Sequence, residues 1–191
     1  MLLPTLPTTH LVLRPYSLAD VPDLVRLAGA REVAATTLRI PHPYREQDAV
    51  DFVAACQPDA DAGQSVRFAI ALRETGEFCG GVGMRLELDH HRAELGYWLG
   101  VPYWGRGYAT EAAQAVLRYG FDTLGLHRIY AQHVRENPAS GRVLKKIGMR
   151  YEGCLRGHIC KWDTFHDLEM YGAVKDSERG EQRNRAPSSE S

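Results

Sequence analysis

The sequence predicts a single α/β domain of the α+β kind, with a mixed, mostly antiparallel central sheet of about seven strands flanked by about four helices. Three observations carry that expectation. Apolar residues alternate with period two through the middle of the chain, and they recur at helical spacing on both sides of it. Turn residues mark the changes of period. With 44% hydrophobic residues in 191, one domain can bury a sizeable core.

His10 to Arg14 reads as a short strand ended by Pro15. Ser17 is placed to cap a helix whose Val21, Leu24, Val25 and Ala28 share one face. A Pro41-His42-Pro43 loop leads to a second helix carrying Ala49, Phe52, Val53 and Cys56 at the same spacing. Val66, Phe68, Ile70 and Leu72 alternate with Arg67, Ala69 and Ala71, a half-buried strand. Glu74 to Glu77 turns the chain into Phe78–Leu88, and Asp89-His90-His91 turns it into Arg92–Val101. Strands in succession with tight turns make an antiparallel meander. Ala109, Ala112, Ala113, Val116, Leu117 and Gly120 then form a helical face. Arg128–Val134 returns to strand, Ala139–Ile147 to helix, and Tyr151–Cys160 with Phe165–Val174 closes the domain as a hairpin.

Composition excludes several classes. With 23 basic against 24 acidic residues the net charge is −1, which leaves no broad nucleic-acid-binding surface. No apolar run reaches the ~20 residues that span a bilayer, and the start of the chain lacks a signal-peptide pattern, so a cytoplasmic protein without membrane contact is expected. Four cysteines do not form a disulfide framework at this length. The segment 175–191 has Ala186 as its only apolar side chain and reads as a disordered tail, which places the folded domain at 8–174. Its four basic and four acidic residues balance, so near-neutrality belongs to the domain itself.

The most informative segment runs from Val101 to Glu111, VPYWGRGYATE. A strand ends, two glycines turn the chain, and a helix begins with small residues. Glycines let successive N–H groups converge, and the helix start adds the positive end of its dipole, so an anion cradle forms without lysine. Two glycines alone fit a plain strand-to-helix turn equally well. The nucleotide P-loop is excluded because Gly-Lys-Ser/Thr is absent. The dinucleotide fingerprint is excluded because Thr110 stands where it needs Gly or Ala.

Trp104-Gly105-Arg106-Gly107-Tyr108-Ala109 resembles the coenzyme-A pyrophosphate motif of the GNAT superfamily of N-acetyltransferases. Segments 93–99, 134–140 and 144–153, with the loop 41–44, resemble its RimJ/RimL-type branch in the same order. Trp104 departs from the motif, which has Gln or Arg there, so a side-chain contact to phosphate is lost while the backbone cradle remains. The resemblance implies a GNAT-like sheet that splays open at the coenzyme site, acetyl-CoA as co-substrate, no metal, and direct transfer to an amine in a ternary complex. It also implies coenzyme contacts from Leu99, Gly100 and Val101, from Gly105, Arg106, Gly107, Tyr108, Ala109 and Thr110, and from Asn137, Ser140 and Lys146.

The chemistry can be set against these residues. An α-amine, with a pKa of ~7.7–8.0, needs only a modest base to attack a thioester, whereas a lysine amine at ~10.4 needs more help. Glu94, on the strand face shared with Gly96 and Trp98, is the base that the resemblance implies, and a salt-bridged surface carboxylate is the bland reading of it. Ser140 is the implied acid for the leaving thiolate, and a helix-start serine is its bland reading. Asn137 before Pro138 is a helix N-cap as well as an implied contact to the pantetheine amide.

The expected acceptor is a protein N-terminal α-amine of the ribosomal-protein type. The alternatives are a small amine, polyamine or antibiotic, or a non-catalytic CoA sensor. A homodimer is a further expectation from the resemblance. Asp89, His90 and His91 make a poor metal site because neighbours in a turn point apart. Alternation would put Cys154, His158 and Cys160 on one strand face near His166, a zinc-hydrolase reading that ranks last.

Overall fold

The computed structural model describes residues 2–175. The expected disordered tail from 176 onward lies outside them. Lys175 itself is joined to the domain, its N–H donating to His127 C=O at 2.8 Å and its ammonium to Phe121 C=O at 2.9 Å.

In chain order the elements are β1 (Leu6–Pro7), β2 (Leu11–Arg14), α1 (Val21–Ala28), α2 (Arg31–Thr36), α3 (Glu46–Asp61), β3 (Ser65–Leu72), β4 (Phe78–Glu87) and β5 (Arg92–Leu99). They continue with α4 (Tyr108–Asp122), β6 (Arg128–Val134), α5 (Pro138–Lys146), β7 (Arg150–Lys161) and β8 (Thr164–Val174). The strands form one sheet in the order β1-β2-β3-β4-β5-β6-β8-β7. The meander β3–β4–β5 and the hairpin β7–β8 stand as the sequence predicts.

Two elements were not legible. β1 is a two-residue strand against β2, too short to show a period, and with buried Leu3 it extends the packed structure ahead of Thr8. The six-residue α2 buries only Val33 and Ala34, again too little for a pattern.

Helices cover both faces of the sheet. Phe68 meets Tyr119 of α4 edge-on at 5.8 Å on one side. On the other, Phe52 of α3 meets Tyr16 edge-on at 5.1 Å. This explains why β3 is nearly all buried: Val66, Phe68, Ala69 and Ile70 have no exposed surface. A sheet covered on both sides needs apolar residues on both.

Every pair of neighbouring strands is antiparallel except β5 and β6. Their connection runs through α4, and a helical crossover returns a strand parallel to its predecessor. The parallel pairing is brief, joining Arg92–Glu94 to Arg128–Tyr130. Beyond Glu94 the strands part, β5 continuing to Leu99 against β4 and β6 continuing to Val134 against β8.

Ser17 caps a 3-10 turn, Leu18–Asp20, that runs directly into α1, whose own N-cap is Asp20. Asp20, only 4% exposed, reaches back to accept the Ser17 N–H at 2.8 Å. Its carboxylate also takes both ends of the Arg14 guanidinium, at 2.8 and 2.6 Å. Burial pushes the Asp20 carboxyl up, but the Arg14 and Ser17 hydrogen bonds outweigh it and hold it below its ordinary value. A depressed acid stabilises the fold above its unfolded pKa, and that contribution disappears as pH falls. Asp20→Ala should therefore cost about 2–3 kcal/mol at pH 7 in urea denaturation. The difference from wild type should shrink below about pH 4.

Candidate active site

A cleft of about 950 Å³ opens where β5 and β6 part. One end is built from the turn into α4. Gly105 and Gly107 have φ of 76° and 84°, a conformation that side chains resist. Gly107 stands at the N-cap of α4 and brings no capping side chain. The first N–H to find a carbonyl is that of Glu111, which donates to Gly107 at 3.1 Å. Among the described residues, no protein acceptor takes the N–H groups of Gly105 to Thr110. A row of open donors at a helix start suits a phosphate.

Gly105, Gly107, Tyr108, Ala109 and Thr110 line the cleft, as do Leu99, Asn137, Ser140 and Lys146. Gly100, Val101 and Arg106 do not come to its wall. The Gly100 N–H donates to Cys79 C=O at 2.9 Å, and the Gly100 and Val101 carbonyls accept from Tyr103 and Trp104 at 3.0 and 3.2 Å. The Leu99 carbonyl accepts the Trp104 indole N–H at 2.7 Å. Trp104, the departure from the motif, is thus turned back on β5. The β5 segment left without a β6 partner lies upstream, after Glu94.

The middle of the cleft holds two hydroxyls. Ser140 Oγ and the Tyr97 hydroxyl lie 2.7 Å apart, and Tyr97 also reaches the Ser140 carbonyl at 3.2 Å. Ser140 is presented by the start of α5, where Asn137 is the N-cap and accepts the Ser140 N–H at 3.3 Å. The cap reading of Asn137 and its place in the cleft are therefore compatible. Burial pushes the Tyr97 phenol up to about 12, with the Ser140 hydrogen bond pulling the other way, so its proton stays in place at neutral pH. Close by, His133 lines the cleft and stacks on Tyr171 with centroids 5.6 Å apart. Its Nδ1 donates to the Val134 carbonyl at 2.8 Å, while Nε2 has no partner among the described residues.

At the far end Glu94 is buried at 6% exposure. Its Oε2 accepts from Arg39 at 2.6 Å and from Arg85 at 2.8 Å, and its Oε1 from Gln132 at 3.1 Å. Arg39 lies on the loop after α2, and Lys161 at the β7–β8 tip clamps that loop by donating to the Ala34 and Thr37 carbonyls.

Tyr97, Arg39, Arg85 and Gln132 were missed in the sequence. Arg85 had a signal, because it faces Glu94 across the β4–β5 pair and opposite charges favour such positions. Arg39 and Gln132 lie 55 and 38 residues from Glu94 and had none. Cys154 and Cys160 pair with Glu169 and Phe165, four residues apart on β8 and so on one face as expected, but a register shift between Leu155 and Ile159 leaves His158 without a ladder partner. Cys154 meets Arg135 at 3.3 Å. No group of three potential metal ligands occurs among the described residues.

Residues 10–150 match the family model described as the acetyltransferase (GNAT) domain. The chain belongs to the GNAT acetyltransferases. It is 34% identical over 172 residues to a Bacillus licheniformis protein named uncharacterized N-acetyltransferase p20, covering 90% of this chain and 96% of that one. It is 31% identical over 94 residues to the ribosomal-protein-serine acetyltransferase of Escherichia coli, covering 49% and 52%. The solved RimL ribosomal L7/L12 α-N-protein acetyltransferase, in complex with coenzyme A, superposes with a TM-score of 0.83 at 20% identity over 91% and 99% of the two chains, a likeness of fold.

The open N–H groups and the two left-handed glycines of this GNAT chain fit a pyrophosphate. Gly107→Ala would force a Cβ into the φ 84° position. It should weaken coenzyme-A binding about tenfold in calorimetry, roughly the strain of one unfavourable φ, with secondary structure retained.

Proposed function

We propose that this acetyltransferase moves the acetyl group of acetyl-CoA to a primary amine by direct transfer, with the N-terminal α-amine of a protein as the acceptor. The observation that carries the reading is the convergence in one cleft of an open N–H cradle, a protonated hydroxyl pair and a buried carboxylate. The E. coli relative named as a ribosomal-protein-serine acetyltransferase supports the acceptor class.

Bound acetyl-CoA supplies an activated thioester. Gly105 and residues 107–110 hold its pyrophosphate through backbone N–H groups, and Lys146 lines the same cleft as a cation. Ser140 Oγ presents a proton at the start of α5. Tyr97, neutral up to about pH 12, supports that hydroxyl so that negative charge developing beside it is stabilised. Glu94 takes up the amine proton at Oε1, the oxygen held only by the longer Gln132 contact.

An acetyl-CoA thiol-release assay with mass-spectrometric readout, over peptides with free N-termini, polyamines and antibiotics, tests this. Turnover should be highest on peptide α-amines. Tight coenzyme-A binding with no turnover on any acceptor would overturn it in favour of a sensor. Ser140→Ala and Glu94→Gln should each lower kcat by about 10²-fold while the KM for acetyl-CoA moves little. Tyr97→Phe keeps the ring and loses the hydroxyl, and its effect should be smaller, about tenfold, the value of one hydrogen bond.

A further inference from the structure

At the amine end of the cleft two cations meet one buried anion. Glu94 is 6% exposed, whereas the side chains of Arg39 and Arg85 are 58% and 57% exposed. Each guanidinium sends one Nη2 donor to the same carboxylate oxygen. A guanidinium carries five N–H donors in a planar fork, so both retain donors beyond the Glu94 contact, and both residues line the cleft. The three charges leave a surplus of one positive.

The other charged groups lining the cleft are Asp48, Asp51 and Arg67, with Arg142 and Lys146 on α5. Arg67 is paired with Asp59 at 2.6 Å. Asp48 accepts the Arg45 N–H at 2.7 Å and Asp51 the Gln47 amide at 2.7 Å, contacts within the α3 region itself. The two arginines are therefore the charges gathered around the carboxylate that handles the amine.

We propose that Arg39 and Arg85 select acceptors that carry a carboxylate close to the amine: an acidic N-terminal peptide or a free dicarboxylic amino acid. The proposal rests on the acetyl-transfer reading and adds its substrate class. Paired guanidinium forks match the two oxygens of a carboxylate, in geometry as well as charge. A polyamine or lysine-rich segment would instead meet like charge. The site is preorganised for this. The loop that bears Arg39 is clamped by Lys161, and the neighbouring Trp162 ring lies 5.4 Å from the Arg31 guanidinium and 6.0 Å from the His42 ring.

The test compares three peptides that share an N-terminal serine and an amidated C-terminus and differ at positions two and three: Asp-Glu, Asn-Gln or Lys-Lys. Free glutamate and glutamine form the second arm. At saturating acetyl-CoA, kcat/KM for the Asp-Glu peptide should exceed that for the Asn-Gln peptide about tenfold or more, with Lys-Lys lowest. Arg39→Gln and Arg85→Gln should each bring the acidic-to-amide ratio toward one, a change that a general loss of folding would not produce. Calorimetry of the same ligands with the coenzyme-A-saturated protein should give the same order without turnover. A stronger response to free glutamate than to the acidic peptide would identify the amino acid as the source of the carboxylate. Equal, absent or reversed preference for the acidic ligands in both measurements overturns the proposal. Acidic preference in binding, with no turnover on any acceptor, overturns the acetyl-transfer reading and leaves the arginine pair standing.

Discussion

The parting of β5 and β6 is the constraint on which the rest of this structure depends. A sheet gains from pairing each strand along its length, yet these two share only three residue pairs before separating. The backbone groups released on their facing edges can be satisfied only by solvent or a ligand. The two strands stay ordered because each keeps its outer neighbour, β4 for one and β8 for the other. The opening is thus held from both sides, with the starts of α4 and α5 lining it.

The same opening explains how a chain of net charge −1 can serve a polyanionic coenzyme. Near-neutral composition argues against a broad basic face, but it has no force against a local cradle of N–H dipoles. Elsewhere in the cleft Arg39 and Arg85 surround Glu94. A carboxylate buried there without cations would bear its desolvation unrelieved, and the paired guanidiniums offset part of that cost.

Much of the fold was legible because the signals are local. The period-two run from Val66 to Leu72, the turns at Glu74–Glu77 and Asp89–His91, and the helical face from Ala109 to Gly120 each lie within one element. The glycine turn before α4 was legible for the same reason. Short pieces were not: β1 and α2 have too few residues to express a period. In the hairpin, the register shift between Leu155 and Ile159 takes His158 out of the ladder, a local irregularity that period-two reading does not show.

The sequence by itself determined the order of the longer elements, most of the buried helix faces and the position of the glycine turn before α4. These follow from periodicity and from the conformational freedom of Gly105 and Gly107, which neighbouring residues suffice to express. Only the tertiary structure decided which side chains meet. Tyr97 reaches Ser140 across 43 residues, and Glu94 gathers Arg39, Arg85 and Gln132 from a loop and two other strands. Such meetings depend on how several elements pack together, and no local pattern in the chain encodes them.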